Sequence, residues 1–281
     1  MFSKLFQPSA IIHDADARLL VNLYYDHQNN KQKIQNRLST ADHDGHTNLA
    51  LLQEELKSLE KREKDYKKLL TRYVDEHEMG GWFSKVYGVS PILAAGLLST
   101  IDITKANTVG HIWSYCGLDP NRSSAFDRTV DQQKYNQHLK RITWLIGYSF
   151  KTFSDNPNCL YGKLYLSRKQ QETENNENKV YAETAKKYLD HSRSSNPQVR
   201  EVLEQGMLTA SHIDARARRW TVKIFISHLH RVWYERHWGK LPPMAFTNKP
   251  LSYENFLSDV IPKDDSNTLD NVNANHDEEL Q

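Results

Sequence analysis

Two adjacent serines, Ser123 and Ser124, follow Arg122 just beyond the helix-ending residues Gly117 and Pro120. A serine hydroxyl becomes a nucleophile when a base activates it or a leaving group is held in line. The pair therefore reads as a nucleophile loop or as a solvated loop, and the sequence names no activating partner. Basic residues recur at two places further along. Lys140 lies on a basic helix running from His138 to Phe153. Arg216, Arg219 and Lys223 recur at three- and four-residue steps, so a helix there carries one cationic face. Such a face suits phosphate contact, and it equally suits plain solvation. His228, His230 and His237 lie in the same stretch, but 228 and 230 fall on different sides of a helix. No carboxylate is suitably spaced, and no metal site is assigned. Cys116 and Cys159 fit no zinc spacing and imply no disulfide framework.

A third feature offers backbone rather than side-chain chemistry. Gly88-Val89-Ser90-Pro91 reads as a tight turn leading into a helix. Gly88 allows the turn, Ser90 suits an N-cap, and Pro91 suits the first helical position. Ala94, Ala95 and Gly96 are small enough for another helix to approach closely. N–H groups at such a helix start can take a phosphate oxygen without reading a base. This is a helix-hairpin-helix pattern with Ser90 in place of the usual third-position glycine. The expected DNA contacts are Gly88, Val89, Ser90, Ala94, Arg122, Lys140, Arg216, Arg219 and Lys223. A simple capped core helix is the alternative for the turn. The segment His111–Pro120 reads as structural by itself, with Trp113 and Tyr115 as core aromatics.

These features need a scaffold, and the scaffold reads as helical. Residues 11–38 carry Ile12, Leu19, Leu20, Leu23, Tyr24, Ile34 and Leu38 at helical spacing. Residues 39–47 read as a turn-rich break. From 48 to 77, Leu49, Leu52, Leu56, Leu59, Tyr66, Leu70 and Tyr73 step by threes and fours, with Glu63 as the one break. That is a coiled-coil seam, and the two helices are expected to fold back as an antiparallel hairpin. The seam serves packing within the chain or pairing with a second copy. Residues 170–200 are polar and read as an exposed helical insertion or a mobile linker. A helix returns at 209–237 with Val222, Phe225, Ile226, Leu229 and Trp233 as its apolar face.

Composition sets the outer bounds. Eleven Gly and nine Pro among 281 residues argue against an all-β protein, and no apolar run is long enough to cross a membrane. Net charge is +2, but it averages a basic body with an acidic stretch after Pro262. The start, Met1-Phe2-Ser3-Lys4-Leu5, lacks the apolar stretch of a signal peptide, so a reducing, cytoplasmic setting is expected.

Residues 86–120 resemble the C-terminal domain of the IS110/IS116/IS902 transposase family. The family's G-[IV]-G-P-x-x-A-A hairpin is matched by Gly88-Val89-Ser90-Pro91-Ile92-Leu93-Ala94-Ala95. Its tryptophan-to-proline segment is matched by Trp113-Ser114-Tyr115-Cys116-Gly117-Leu118-Asp119-Pro120. Two further segments found in some members are matched by Tyr135–Lys140 and His212–Arg219. The resemblance covers roughly 80–240 and implies a recombinase domain whose serine lies just after the Gly-Leu-x-Pro segment, at Ser123 or Ser124. It also implies a RuvC-like acidic nuclease domain, which this sequence is expected to lack: Asp14 and Asp16 fall in a helix. After the serines the family usually has Gly and basic residues, whereas Ala125-Phe126-Asp127 follow here.

The expected fold is mainly α: an antiparallel coiled-coil hairpin (1–79), a helical DNA-binding domain with a helix-hairpin-helix-like motif (80–240), and a Pro-punctuated, acidic, disordered tail (241–281). The expected function is DNA binding with strand transfer in a mobile element, the nuclease domain being supplied in trans. A non-catalytic DNA-binding factor and a coiled-coil scaffold are the alternatives. Expected partners are DNA, a structured RNA and a second copy through the coiled coil, with no membrane. No cofactor is expected in this chain itself, Mg2+ entering only with a RuvC-like partner domain.

Overall fold

The computed structural model describes residues 5–7, 10–44, 49–119, 135–191 and 196–243. The serine segment and the acidic stretch from 244 onward lie outside these. Among the described residues there is no strand. The helices are α1 (Asp14–Asp44), α2 (Leu49–Glu76), α3 (Gly80–Phe83), α4 (Pro91–Leu98), α5 (Val109–Tyr115), α6 (Gln137–Thr152), α7 (Leu160–Glu177), α8 (Ala182–His191), α9 (Pro197–Glu204) and α10 (Ala210–Trp238). A 3-10 turn at Ile103–Lys105 precedes α5. No helix among the described residues is long and apolar enough to cross a membrane.

α1 and α2 lie antiparallel. Tyr73 near the end of α2 donates its hydroxyl to Asp14 at the start of α1, at 2.8 Å. Lys31, further along α1, meets Glu63, further back in α2, at 2.5 Å. The seam is buried at Leu59, Tyr66, Leu70 and Tyr73, joined by Leu69 and Val74. Leu49, at the far end, is exposed. Glu63, the apparent break, accepts from Tyr24 Oη (3.3 Å), Gln28 Nε2 (3.2 Å) and Lys31 Nζ. A carboxylate in the seam is thus tolerated because α1 supplies three donors opposite it.

The expected break at 39–47 needs correction, since α1 runs on to Asp44. Ser39 and Thr40 donate their hydroxyls back to the carbonyl of Asn36 (2.8 and 3.1 Å) instead of opening a turn.

α4 sits between the base of the hairpin and α6, and packs against α1, α2 and α6. All residues from Ile92 to Leu98 are buried in consequence. Gly96 permits the approach of α6: a β-carbon there would come within 2.9 Å of Ile142 Cδ1. α10 closes the core against α5, α6 and α7. Its expected apolar face is buried at every position, Val222, Phe225, Ile226, Leu229 and Trp233.

The polar stretch 170–200 is a helical insertion, formed in its described part by the end of α7, α8 and the start of α9. Ala185 of this stretch joins a second small core with Leu203, Leu208 and Ile213 of the following segment and α10, flanked by Tyr181 and Tyr188. The buried carboxylate Glu172 also ties this stretch to α10 through Arg216.

Candidate nucleic-acid interface

The turn at 84–90 is built as its residues suggest. Gly88 has φ +91°, a region that costs any residue with a β-carbon. Ser90 caps α4 by accepting from Leu93 N at 3.4 Å, and Pro91 occupies the first helical position. The turn is clamped from behind: Ser149 Oγ of α6 donates to the Gly88 carbonyl at 2.6 Å. Its supply of donors is small. Pro91 has no N–H, Leu93 N is taken by the Ser90 hydroxyl, and Ala94 N goes to the Ser90 carbonyl at 2.9 Å. Val89 N turns back to the Val86 carbonyl at 3.5 Å. Gly88 and Val89 are half-buried and Ser90 is exposed. Ala94 is buried at 1% exposure, so its expected place at a DNA surface is corrected to the core.

α6 carries a more open surface. Leu139, Ile142, Ile146 and Phe150 face inward at 0% exposure. The opposite side presents Lys140, Trp144 and Tyr148 at four-residue steps, so they stack along one face. Trp144 is 55% exposed and Tyr148 50%. Their rings are stacked, with centroids 5.6 Å apart and planes 18° from parallel. Across from this face, α10 contributes Ala215, Arg218, Arg219 and Val222 to a groove of about 180 Å³ that Lys140, Thr143, Trp144, Gly147 and Leu118 complete.

The cations of α10 have different fates. Arg216 is half-buried and committed: its Nε donates to Glu172 at 2.6 Å, and its guanidinium lies 4.1 Å from the Tyr181 ring centre. Glu172 is 1% exposed and also receives Arg168 Nη2 at 2.5 Å and Tyr181 Oη at 2.6 Å. Burial pushes this carboxyl up, but the hydrogen bonds from Arg216 and Tyr181 and the charges of Arg216 and Arg168 outweigh it, and its pKa lies below the usual value. Arg218 is oriented by Asp214 at 2.8 Å, and its guanidinium lies 5.8 Å from the Trp144 ring centre. Asp214 also receives Lys151 (2.8 Å) and Tyr165 Oη (2.6 Å). Burial alone would raise its carboxyl, but these three donors bring it down to about 2. Arg219 is exposed on the groove. Lys223 is half-buried with Nζ 5.1 Å from the Trp113 ring centre; burial lowers its pKa and Asp119 pulls the other way.

Lys140 and Arg219 therefore share one groove, joined by Arg218 and Trp144, with Tyr148 stacked on Trp144 beside it, and the spacing of basic residues did not single these three out. The four-residue repeat of Lys140, Trp144 and Tyr148 on the side of α6 opposite Leu139, Ile142 and Ile146 was the available signal. Arg122, Ser123 and Ser124 lie outside the described residues. The two ends of their segment are nonetheless described. Leu118 lines the groove, Asn136 N donates to the Tyr115 carbonyl at 2.9 Å, and Lys140 Nζ lies over the Tyr135 ring at 4.1 Å. His228 and His230 are separately engaged, with Tyr161 Oη at 2.8 Å and the Ala106 carbonyl at 2.7 Å. Among the described residues no group of three or more His, Cys, Asp or Glu side chains could hold a metal ion.

Fold and groove define a mainly helical protein with a capped turn at one end of α6 and a cationic, aromatic-edged groove toward the other. Residues 82–156 of this chain match the family model described as Transposase IS116/IS110/IS902 family. The match contains the turn, α4, α5 and α6, and it supports a transposase role. α10 lies beyond it. No curated protein and no solved structure matches the chain.

Proposed function

We propose that this chain is the DNA-binding part of a transposase-type recombinase and holds the phosphate backbone in the groove between α6 and α10. The observation that carries it is the placing of Lys140, Arg218 and Arg219 around one groove whose rim, at Leu118, leads into the segment bearing Arg122, Ser123 and Ser124. Ser123 is four residues from Asp119, so its Cα lies within about 14 Å of that residue whatever path the chain takes. The proposal requires that this hydroxyl reach a phosphate held in the groove. In strand transfer the serine Oγ would bond to phosphorus as one P–O ester bond breaks, the serine proton passing to a base and the departing deoxyribose oxygen taking one up. The exposed Ser90 and the N-terminus of α4 supply a second, smaller backbone contact, with Gly88 and Val89 shaping it.

A RuvC-like Mg2+ site does not fit the described residues, which offer no three-donor cluster. In this proposal such a domain comes from a partner chain. A structured RNA is a further ligand of the same groove, because its phosphates present the same chemistry. A second copy of the chain would pair through the outer end of the hairpin, where Leu49 and Leu51 are exposed. Sedimentation would show a dimer that Leu51→Glu dissociates.

The test of the groove is the salt dependence of duplex DNA binding. Three groove cations (Lys140, Arg218, Arg219) releasing three counterions give a log–log slope of about −2.7. Lys140→Glu with Arg219→Glu reduces that slope by about two. An unchanged slope refutes the groove. Ser123→Ala and Ser124→Ala are expected to abolish strand exchange and retain binding. Full activity in both would favour a non-catalytic DNA-binding factor, a reading that Ala125-Phe126-Asp127 after the serines also favours.

A further inference from the structure

The exposed stacked pair on α6 is unexplained by backbone binding. A phosphate-gripping surface needs cations, and it gains nothing from a Trp and a Tyr left half in water. We infer that Trp144 and Tyr148 form a stacking platform for an unpaired nucleobase, so that this face, besides holding a phosphate backbone, takes single-stranded or locally opened nucleic acid more tightly than intact duplex. The inference rests on the groove binding nucleic acid and adds which form of it is bound.

Three features support it. The two rings lie near parallel at 5.6 Å and form one continuous aromatic surface, and each is about half exposed. The pair is held rigidly. α6 is fixed by its fully buried face, and Arg218, at 5.8 Å from the Trp144 ring centre, is itself locked by Asp214. Charge completes the surface. Lys140 and Arg219 border Trp144 in the groove, and Lys151 lies three residues beyond Tyr148. Together with Arg218, these are four cations, of which Lys151 and Arg218 share Asp214 as counter-charge while Lys140 and Arg219 line the groove. Aromatic rings interleaved with cations are the chemistry of single-strand binding, because every base has a π-face and every nucleotide a phosphate. In a duplex the base faces are covered by their neighbours, so the same rings find nothing to stack on until a base is unpaired or extruded.

The test uses the full chain and fluorescence anisotropy with four labelled probes: a single-stranded oligothymidylate, an oligouridylate of equal length, an abasic strand of the same length and charge, and a blunt duplex. Trp144→Ala is expected to weaken binding of the single-stranded probes about tenfold. It should leave the abasic strand and the duplex nearly unchanged, with the salt slope retained. Tyr148→Ala should give a smaller loss of the same kind, and Trp144→Phe should restore most of the affinity. The relative loss on the thymidylate and uridylate probes tells DNA from RNA. Equal losses on the base-bearing and abasic strands would overturn the inference. So would unchanged single-strand binding, including the case in which Trp144→Ala instead lowers the mass seen by sedimentation and marks the pair as a protein contact. Failure of the groove itself looks different: the wild-type chain then binds duplex without a steep salt dependence.

Discussion

Replacing Glu172 by alanine should cost more stability than any other single charge removal in the described structure. The carboxylate is 1% exposed and accepts from Arg168, Arg216 and Tyr181 at 2.5, 2.6 and 2.6 Å. Removing one member of a fully buried ion pair costs about 3–5 kcal/mol, because the remaining charge is stranded. Here the two guanidinium side chains stay 24% and 34% exposed and can recover part of their hydration. The expected loss is therefore about 2–3 kcal/mol. In thermal unfolding this corresponds to a midpoint lower by roughly 4–12 °C. Glu172→Gln keeps the shape and should lose less. The sign of the pH dependence follows from the lowered folded pKa. The contribution of Glu172 is present above its unfolded pKa and is lost as pH falls through the folded one, so wild type and variant should converge in acid. A double-mutant cycle with Arg216→Ala should show strong coupling. A midpoint within 1 °C of wild type, or no coupling, would refute the structural role of the pair and return Arg216 to the pool of cations free for DNA.

Two further outcomes are expected from the fold. Gly88→Ala forces a β-carbon into a backbone region at φ +91° and to 3.1 Å from Phe150 Cδ1, and should cost about 1–3 kcal/mol in urea unfolding; an unaffected midpoint would show that the turn can flip. His228 is 1% exposed, and burial, helped by the charge of Arg231, lowers its pKa to about 4. The unfolded chain then binds the extra proton between about pH 6.5 and 4, so stability falls on acidification through that window by about 1.4 kcal/mol per unit. His228→Gln should flatten this part of the curve, and a curve of unchanged steepness would place the titration elsewhere.

The sequence by itself determined the helices and much of their inward faces. The three- and four-residue steps from Leu49 to Tyr73 predict a seam that is buried at Leu59, Tyr66, Leu70 and Tyr73, half-buried at Leu52 and Leu56 and exposed at Leu49, and Val222, Phe225, Ile226, Leu229 and Trp233 predict the inner face of α10, which is buried at every one of them. Periodicity reports these faithfully because apolar burial follows from helical geometry alone. The cap of α4 was legible for the same local reason, since Ser90 and Pro91 act within one turn. Tertiary structure decided the rest, because it depends on neighbours far away in the chain. Ala94 is buried because α1, α2 and α6 surround α4. Glu63 does not break the seam, because donors from α1 meet it. Arg216, Arg218 and Arg219 look alike as a sequence, yet Glu172 claims the first, Asp214 orients the second, and the third is left at the groove. A charge has no fixed role until its counter-charge and its access to water are known. The same holds for Trp144 and Tyr148: their spacing put them on one face of α6, but only the packing of the opposite face against α4 and α10 left that face in solvent.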